Sequence, residues 1–153
     1  MNDPYSLQRF VDAQEPVFEQ VVAELRAGAK RSHWMWFVFP QLAGLGRSET
    51  ARHYALRSLA EAQAYLRHPV LGSRLIECTR LVLEVHKTQP QRTAQAIFGD
   101  PDDMKFHSSM TLFAEAGPQQ PEFAAALTLY FGGEPDRATL RLLVEKQGVH
   151  LDS

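Results

Sequence analysis

Apolar residues recur at three- and four-residue steps through most of the chain, the spacing that places them on one face of an α-helix. The first such segment covers residues 5–27, and Pro16 lies inside it. Because proline removes a backbone hydrogen bond, we expect a kink here or a split into two helices. Gly28 follows the last apolar position and suits the end of a helix. The positions that share this face are Leu7, Phe10, Val11, Gln14, Phe18, Val21, Val22 and Leu25.

Capping residues and prolines mark the starts of the later helices. Ser48 begins a short helix through about Leu56, and Ser58 with Glu61 forms a capping-box sequence for a helix ending near Arg67. The remaining predicted helices run from Pro69 to about Lys87, over 93–98, from an Asp100 cap to Ala116, from Pro121 to Phe131, and from an Asp136 cap to Gly148. The pattern gives about seven or eight helices and no clear strand. It predicts a mainly α fold, a compact multi-helical bundle forming a single domain over 1–153.

Residues 30–48 interrupt this helical pattern. They contain both tryptophans of the chain and a group of basic residues. The apolar run 34–39 fits either a short strand or a buried turn of helix, since periodicity cannot decide between these for so short a run. Pro40 ends the run, and Gly44 and Gly46 make the following loop conformationally permissive.

The same segment combines cations, aromatic rings and glycines, a set that suits an anionic ligand with a flat ring. Lysine and arginine hold phosphate, aromatic side chains stack on a base, and glycine amides approach oxygen atoms closely. The alternative is that the aromatic residues belong to the core and the basic residues are solvated. The candidate ligand-binding residues are Lys30, Arg31, His33, Trp34, Trp36, Gln41, Gly44, Gly46, Arg47 and Ser48.

A second polar cluster lies at residues 102–109. On a helix, Lys105 lies near Ser108 and Ser109, which places a cation beside two hydroxyls and suggests a second anion contact. The alternative is a charged helix start with a solvated face. The sequence does not say whether this cluster and residues 30–48 meet in space.

Two carboxylates are candidate catalytic groups, and other kinds of site find little support. Glu49 and Asp103 lie close to the two clusters, and either is a candidate general base toward a glycosidic or phosphoester bond. His107 and Ser108 are adjacent and would point in different directions on a helix, which argues against a nucleophilic pair. The histidines show no pair four residues apart and Cys78 has no thiol partner, so we predict no metal site and no cofactor.

Composition limits the class of protein. A length of 153 residues, with 44% hydrophobic and 22% charged residues, is typical of one globular domain. The net charge of −2 argues against a general nucleic-acid binder. The N-terminus is polar and no apolar run approaches the roughly 18 residues that span a bilayer, so we expect a cytoplasmic protein without a membrane partner. The oligomeric state stays open, and Cys78 is expected to be a small buried residue.

Specific motifs over nearly the whole chain resemble the bacterial family called domain of unknown function 1810 (DUF1810), some members of which carry the label calpastatin. They are LQRF at 7–10 with Ala13-Gln14, KRSHWMWFVFPQ at 30–41, GLGRS at 44–48, EAQAYLRHPVLGSRL at 61–75, IFGDPDDMK at 97–105 and SSMTLF at 108–113. The resemblance implies a compact, mostly helical domain and brings no established activity. By analogy the family is distantly similar to the NADAR group, which is tied to ADP-ribose and N-glycosidic bonds. His107 departs from the family pattern, where a basic or leucine-like residue is more usual.

These observations predict a protein that binds a phosphorylated or nucleotide-like small molecule, with ADP-ribose or another NAD-derived compound as the named candidates. If the protein is an enzyme, the expected class is a hydrolase acting on a glycosidic or phosphate linkage. The alternative is a non-catalytic protein-interaction module, in which residues 30–48 form an exposed docking surface or part of the core.

Overall fold

Ten α-helices follow one another in the part of the chain that the structure, a computed structural model, describes, which is residues 3–147. They are α1 (Gln8–Gln14), α2 (Phe18–Ala27), α3 (Met35–Val38), α4 (Glu49–His53), α5 (Leu59–Arg67), α6 (Leu71–Thr88), α7 (Ala94–Phe98), α8 (Asp102–Ala116), α9 (Pro121–Phe131) and α10 (Arg137–Gln147). The predicted mainly α fold is confirmed. No strand occurs in the described range, although one isolated parallel bridge joins Leu42 to Leu56.

Two local features raise the helix count above the predicted seven or eight. The chain splits at Pro16, as one of the two expected outcomes there, so that α1 ends at Gln14 and α2 begins at Phe18. The ambiguous run 34–39 forms the single helical turn α3 and not a strand. Gly28 ends α2 with a left-handed backbone (φ 70°), which glycine adopts without a steric penalty.

The predicted serine caps are confirmed. The Ser48 hydroxyl accepts a hydrogen bond from the Ala51 amide, and the Ser58 hydroxyl accepts one from the Glu61 amide, each at 3.1 Å. Helix α4 stops earlier than predicted, because the amide of Leu56 bonds to the carbonyl of residue 41 at the bridge.

The predicted cap of α8 is wrong. Pro101 occupies the N-cap position with a non-helical backbone and makes no side-chain cap bond, so Asp100 is not the cap. The amide of Asp103 instead donates to the carbonyl of Gly99 at 2.8 Å. The Asp136 cap is in place, since its carboxylate accepts the Thr139 amide at 3.1 Å, whereas the predicted end at Gly148 lies outside the described residues.

Helix α8 lies at the centre of the bundle and packs against α5, α7, α9 and α10. Its side chains Phe106, Met110, Leu112 and Phe113 are fully buried, which is expected of a helix covered on most sides. Helix α6 packs against α2, α5 and α9.

Cys78 on α6 is buried as predicted, and burial raises the pKa of its thiol to about 12. None of the described helices is both long and apolar enough to cross a bilayer.

The loop between α3 and α5 is closed at its base and carries α4. Beside the bridge, the amide of Ala43 donates to the carbonyl of Leu56 at 2.7 Å. The guanidinium of Arg9 on α1 donates to the carbonyls of His53 (2.9 Å) and Ala55 (3.2 Å) in the same loop. These bonds hold the loop between α1 and the start of α5, where the cavities described below are found.

Candidate functional site

The basic and aromatic segment is fixed in place by the buried carboxylate of Glu24. This carboxylate accepts the amides of Arg31 (2.8 Å) and Ser32 (3.1 Å), the indole N–H of Trp34 (2.9 Å), the hydroxyl of Ser32 and the side-chain amide of Gln20. Burial alone would raise the pKa of Glu24, but the hydrogen bonds outweigh it and hold the pKa at about 2. The loop before α3 therefore takes its shape from one ionised side chain on α2.

The two clusters identified in the sequence meet in space through Asp102. Lys30 Nζ lies 2.7 Å from one oxygen of this carboxylate, and Lys105 Nζ lies 3.4 Å from the other. Lys105 also lies over the ring of Trp36, 4.7 Å from its centroid, and Lys30 lies 5.1 Å from that of Trp34. Both ammonium groups thus have a carboxylate partner, with which an anionic ligand would have to compete.

An open hollow beside α3 and α4 brings three of the predicted site residues together. They are His33, Trp36 and Glu49, and Trp36 is half-buried while the other two are exposed. Trp34, in contrast, is 1% exposed, so its ring faces belong to the core. The hollow, which we call the aromatic hollow, measures about 580 Å³ and is lined by His33, Trp36, Phe37, Glu49, Thr50, His53 and Tyr54.

The other predicted residues between α2 and α4 lie outside the lining of the aromatic hollow. Arg31, Arg47 and Ser48 are exposed, and the Ser48 hydroxyl serves as the cap of α4. Gly46 permits close packing, because a Cβ there would lie 2.5 Å from that of Ala51. Two further predicted residues are Gln41, which is half-buried, and Gly44, which has a left-handed backbone (φ 107°).

Two of the predicted site residues on α8, Ser108 and Ser109, face inward. Ser108 is buried and donates to the carboxylate of Asp136 at 3.0 Å, which ties α8 to the start of α10. Ser109 is fully buried and its hydroxyl has no hydrogen-bond partner. One carboxylate oxygen of Asp103 is likewise buried and without a hydrogen-bond partner. A role for these residues in binding or catalysis stays a prediction.

A second, more enclosed cavity brings together three arginines, Arg9, Arg52 and Arg57, which no local sequence pattern groups. It measures about 450 Å³ and lies between the N-terminal segment, α4 and the start of α5. We call it the arginine pocket. It is lined by Pro4, Tyr5, Ser6, Arg9, Arg52, His53, Arg57, Ser58 and Glu61. His53 lines both cavities, so the arginine pocket and the aromatic hollow are neighbours.

Arg9 forms one wall of the arginine pocket and is held by backbone carbonyls. Besides His53 and Ala55, its guanidinium donates to the carbonyls of Tyr5 (2.6 Å) and Ser6 (2.8 Å). Four of its five N–H groups are therefore engaged in fixing the surrounding chain. Ser6 has a left-handed backbone (φ 54°), an arrangement that non-glycine residues rarely adopt and that clusters at functional sites.

Glu61 contributes a buried carboxylate to this otherwise basic cavity. One of its oxygens accepts the amide of Arg57, and the other lies 3.6 Å from the Arg9 guanidinium. Arg52 and Arg57 are exposed and bring two further guanidinium groups to the rim. In a capping box the carboxylate of Glu61 would accept the amide of Ser58, but here it accepts the amide of the preceding residue, Arg57.

The arginine pocket escapes sequence reasoning because its members come from distant segments that fold together. One local signal was available. Glu61 precedes Ala62 and lies four residues before Tyr65, so it falls on the apolar face of α5, where a carboxylate requires a partner. No group of three histidine, cysteine, aspartate or glutamate side chains within residues 3–147 is arranged to hold a metal ion.

Comparisons with known proteins identify relatives whose function is not established. The family model described as a protein of unknown function (DUF1810) matches residues 4–143. The chain is similar to the conserved hypothetical protein Rv1873 from Mycobacterium tuberculosis, known from a crystal structure at 1.38 Å, with 57% sequence identity and a TM-score of 0.87. This similarity covers 93% of the present chain and 99% of the mycobacterial one. The comparison with curated proteins gives no match.

Proposed function

The chain belongs to the DUF1810 family of proteins of unknown function, and we propose that it binds a phosphorylated, nucleotide-like small molecule across the arginine pocket and the aromatic hollow. The observation that carries the proposal is the convergence of Arg9, Arg52 and Arg57 on one cavity of about 450 Å³. A guanidinium group can donate two parallel hydrogen bonds to the oxygens of one phosphate, and it keeps its charge at any physiological pH. This local positive charge contrasts with the net charge of −2 of the whole chain.

The aromatic hollow supports the ring-binding half of the proposal. Trp36, Phe37 and Tyr54 line it next to His53, which it shares with the arginine pocket. Aromatic side chains stack on the flat faces of all nucleobases, whichever substituents the base carries. In the finer form of the proposal the ligand is ADP-ribose or another NAD-derived compound, which offers phosphates to the guanidiniums and an adenine ring to the hollow.

We expect Arg57→Ala to weaken binding of every phosphorylated ligand by about tenfold or more, because it removes a charge-assisted hydrogen-bond donor from the rim. The measurement is a thermal-shift panel of NAD, ADP-ribose, nucleotides and sugar phosphates, read by tryptophan fluorescence and followed by calorimetric titration of any compound that shifts the melting temperature. Arg57 is chosen over Arg9 because Arg9 also holds the loop.

Arg67→Ala is the matched control, since Arg67 is an exposed arginine at the other end of α5 and does not line the pocket. Equal affinity of the Arg57→Ala variant and the unmodified protein would contradict the arginine pocket as the phosphate site. A panel without any shift would overturn ligand binding and favour the alternative of a protein-interaction module.

For hydrolysis we assign the general base to Glu49. It lines the aromatic hollow, whereas Asp103 lines neither cavity. If a ligand from the panel is turned over, Glu49→Gln should reduce kcat by about a hundredfold or more, because a neutral amide cannot accept the proton of the attacking water. The dissociation constant should change little. Single-turnover assays with matched titrations test this, and an unchanged kcat would remove Glu49 from the mechanism.

A further inference from the structure

The carboxylate of Glu61 is buried in the wall of the arginine pocket. The residue is 3% exposed, and it lines the cavity together with three arginines. A buried carboxylate is costly unless charges and hydrogen bonds compensate it. The hydrogen bonds that the Glu61 carboxylate already makes therefore determine which further donor it can accept.

The two carboxylate oxygens of Glu61 differ in their hydrogen bonds. Oε2 accepts the backbone amide of Arg57, which fixes the side chain at the start of α5. Oε1 lies 3.6 Å from Arg9 Nη2, which is an ion-pair contact too long for a hydrogen bond. Because each carboxylate oxygen has two acceptor sites, Oε1 keeps acceptor capacity for a donor in the pocket.

The charges around Oε1 restrict the kind of donor. A phosphate oxygen placed against Oε1 would be repelled, because both carry negative charge. An ammonium group would meet the fixed guanidinium of Arg9, whose position four backbone carbonyls determine. A neutral hydroxyl is repelled by neither, and it donates a charge-assisted hydrogen bond to the carboxylate.

We infer that the arginine pocket takes the sugar phosphate part of its ligand, with Arg52 and Arg57 on the phosphate and Glu61 Oε1 accepting a sugar hydroxyl. This inference rests on the proposed function and names the chemical group that the pocket selects. The volume of about 450 Å³ is within the range of small-molecule sites. The function of Glu61 is then to distinguish a hydroxylated phosphate ester from free phosphate.

The test compares three probes on the unmodified protein by calorimetric titration: ribose 5-phosphate, inorganic phosphate and phosphoethanolamine. We expect ribose 5-phosphate to bind about tenfold or more tightly than inorganic phosphate, the factor that one hydrogen bond to a charged group provides. Phosphoethanolamine, whose donor is an ammonium group, should bind no more tightly than inorganic phosphate. This comparison needs no variant and so does not depend on the folding of a mutant.

The Glu61→Gln variant then assigns the selectivity to this residue. The amide oxygen of glutamine still accepts the Arg57 amide, but the charge that strengthens the hydroxyl bond and repels phosphate is gone. The preference for ribose 5-phosphate should fall to about threefold or less. Glu115→Gln, an exposed carboxylate on α8, is the matched control and should keep the full preference.

Each outcome of these titrations has a distinct meaning. Inorganic phosphate and ribose 5-phosphate bound with equal affinity would overturn the hydroxyl inference and leave the proposed function intact. The same holds if Glu61→Gln keeps the full preference, or if phosphoethanolamine binds most tightly. Absence of binding by all three probes would overturn the phosphate site itself, and with it this inference.

Discussion

Replacing Gly72 by alanine should lower the free energy of unfolding by about 3 kcal/mol or leave the protein unfolded, the upper range for overpacking a core. Gly72 is buried in the first turn of α6, where the backbone of α5 passes very close. A Cβ at this position would lie 2.0 Å from the carbonyl oxygen of Leu66 and 2.9 Å from its carbonyl carbon. These are backbone atoms, so no side-chain rotation can relieve the contact.

The direction of this effect is diagnostic, because glycine to alanine inside a helix ordinarily stabilises by about 1 kcal/mol. Urea denaturation of the purified variant measures it. Ser73→Ala is the control, an exposed neighbour in the same helical turn that should change stability by less than about 0.5 kcal/mol. A Gly72→Ala variant as stable as the unmodified protein would mean that α5 and α6 lie further apart than the structure shows.

We expect Glu24→Gln to cost roughly 3 kcal/mol of stability at neutral pH and almost nothing near pH 2. The folded protein holds the pKa of Glu24 at about 2, below its ordinary value of 4.5. The unfolded chain therefore binds the proton more readily, and the stabilisation from Glu24 is complete above pH 4.5. It is lost as the pH falls from there to about 2. One pKa unit corresponds to about 1.4 kcal/mol, which gives the expected size.

Urea denaturation between pH 2 and pH 7 tests this prediction. The difference between the unmodified protein and the variant should shrink as the pH falls. Glu19→Gln, an exposed residue on the same helix, should show no such convergence. A difference that stays constant with pH would mean that Glu24 acts through packing and not through its ionised hydrogen bonds.

Local signals in the sequence account for most of the fold. The caps at Ser48 and Ser58 and the break at Pro16 depend on residues within a few positions of one another, and the structure confirms them. The Asp100 cap failed although the residue type suits it, because the helix begins after Pro101. Short-range patterns give good starting points for helices, but the backbone geometry at a proline decides where the first turn forms.

The candidate site depends on contacts that no local pattern contains. Trp34 and Trp36 are two residues apart, yet one is buried against Glu24 and the other lines the aromatic hollow. Arg9 and Arg57 reach one cavity from segments nearly fifty residues apart in sequence. The arginine pocket could therefore not be predicted from local patterns. The meeting of His33, Trp36 and Glu49, in contrast, involves residues at most sixteen positions apart in sequence.

The position of Arg9 links the affinity for the proposed ligand to the placement of residues 4–6, which precede α1 and form a wall of the arginine pocket. The arginine pocket is complete only in molecules whose residues 4–6 are docked against Arg9. The apparent affinity for the proposed ligand is therefore the intrinsic affinity reduced by the fraction of molecules in that state. The bonds from Arg9 to Tyr5 and Ser6 favour the docked state. In the proposed binding, residues 4–6 thus contribute to affinity through the population of the docked state as well as through direct contact.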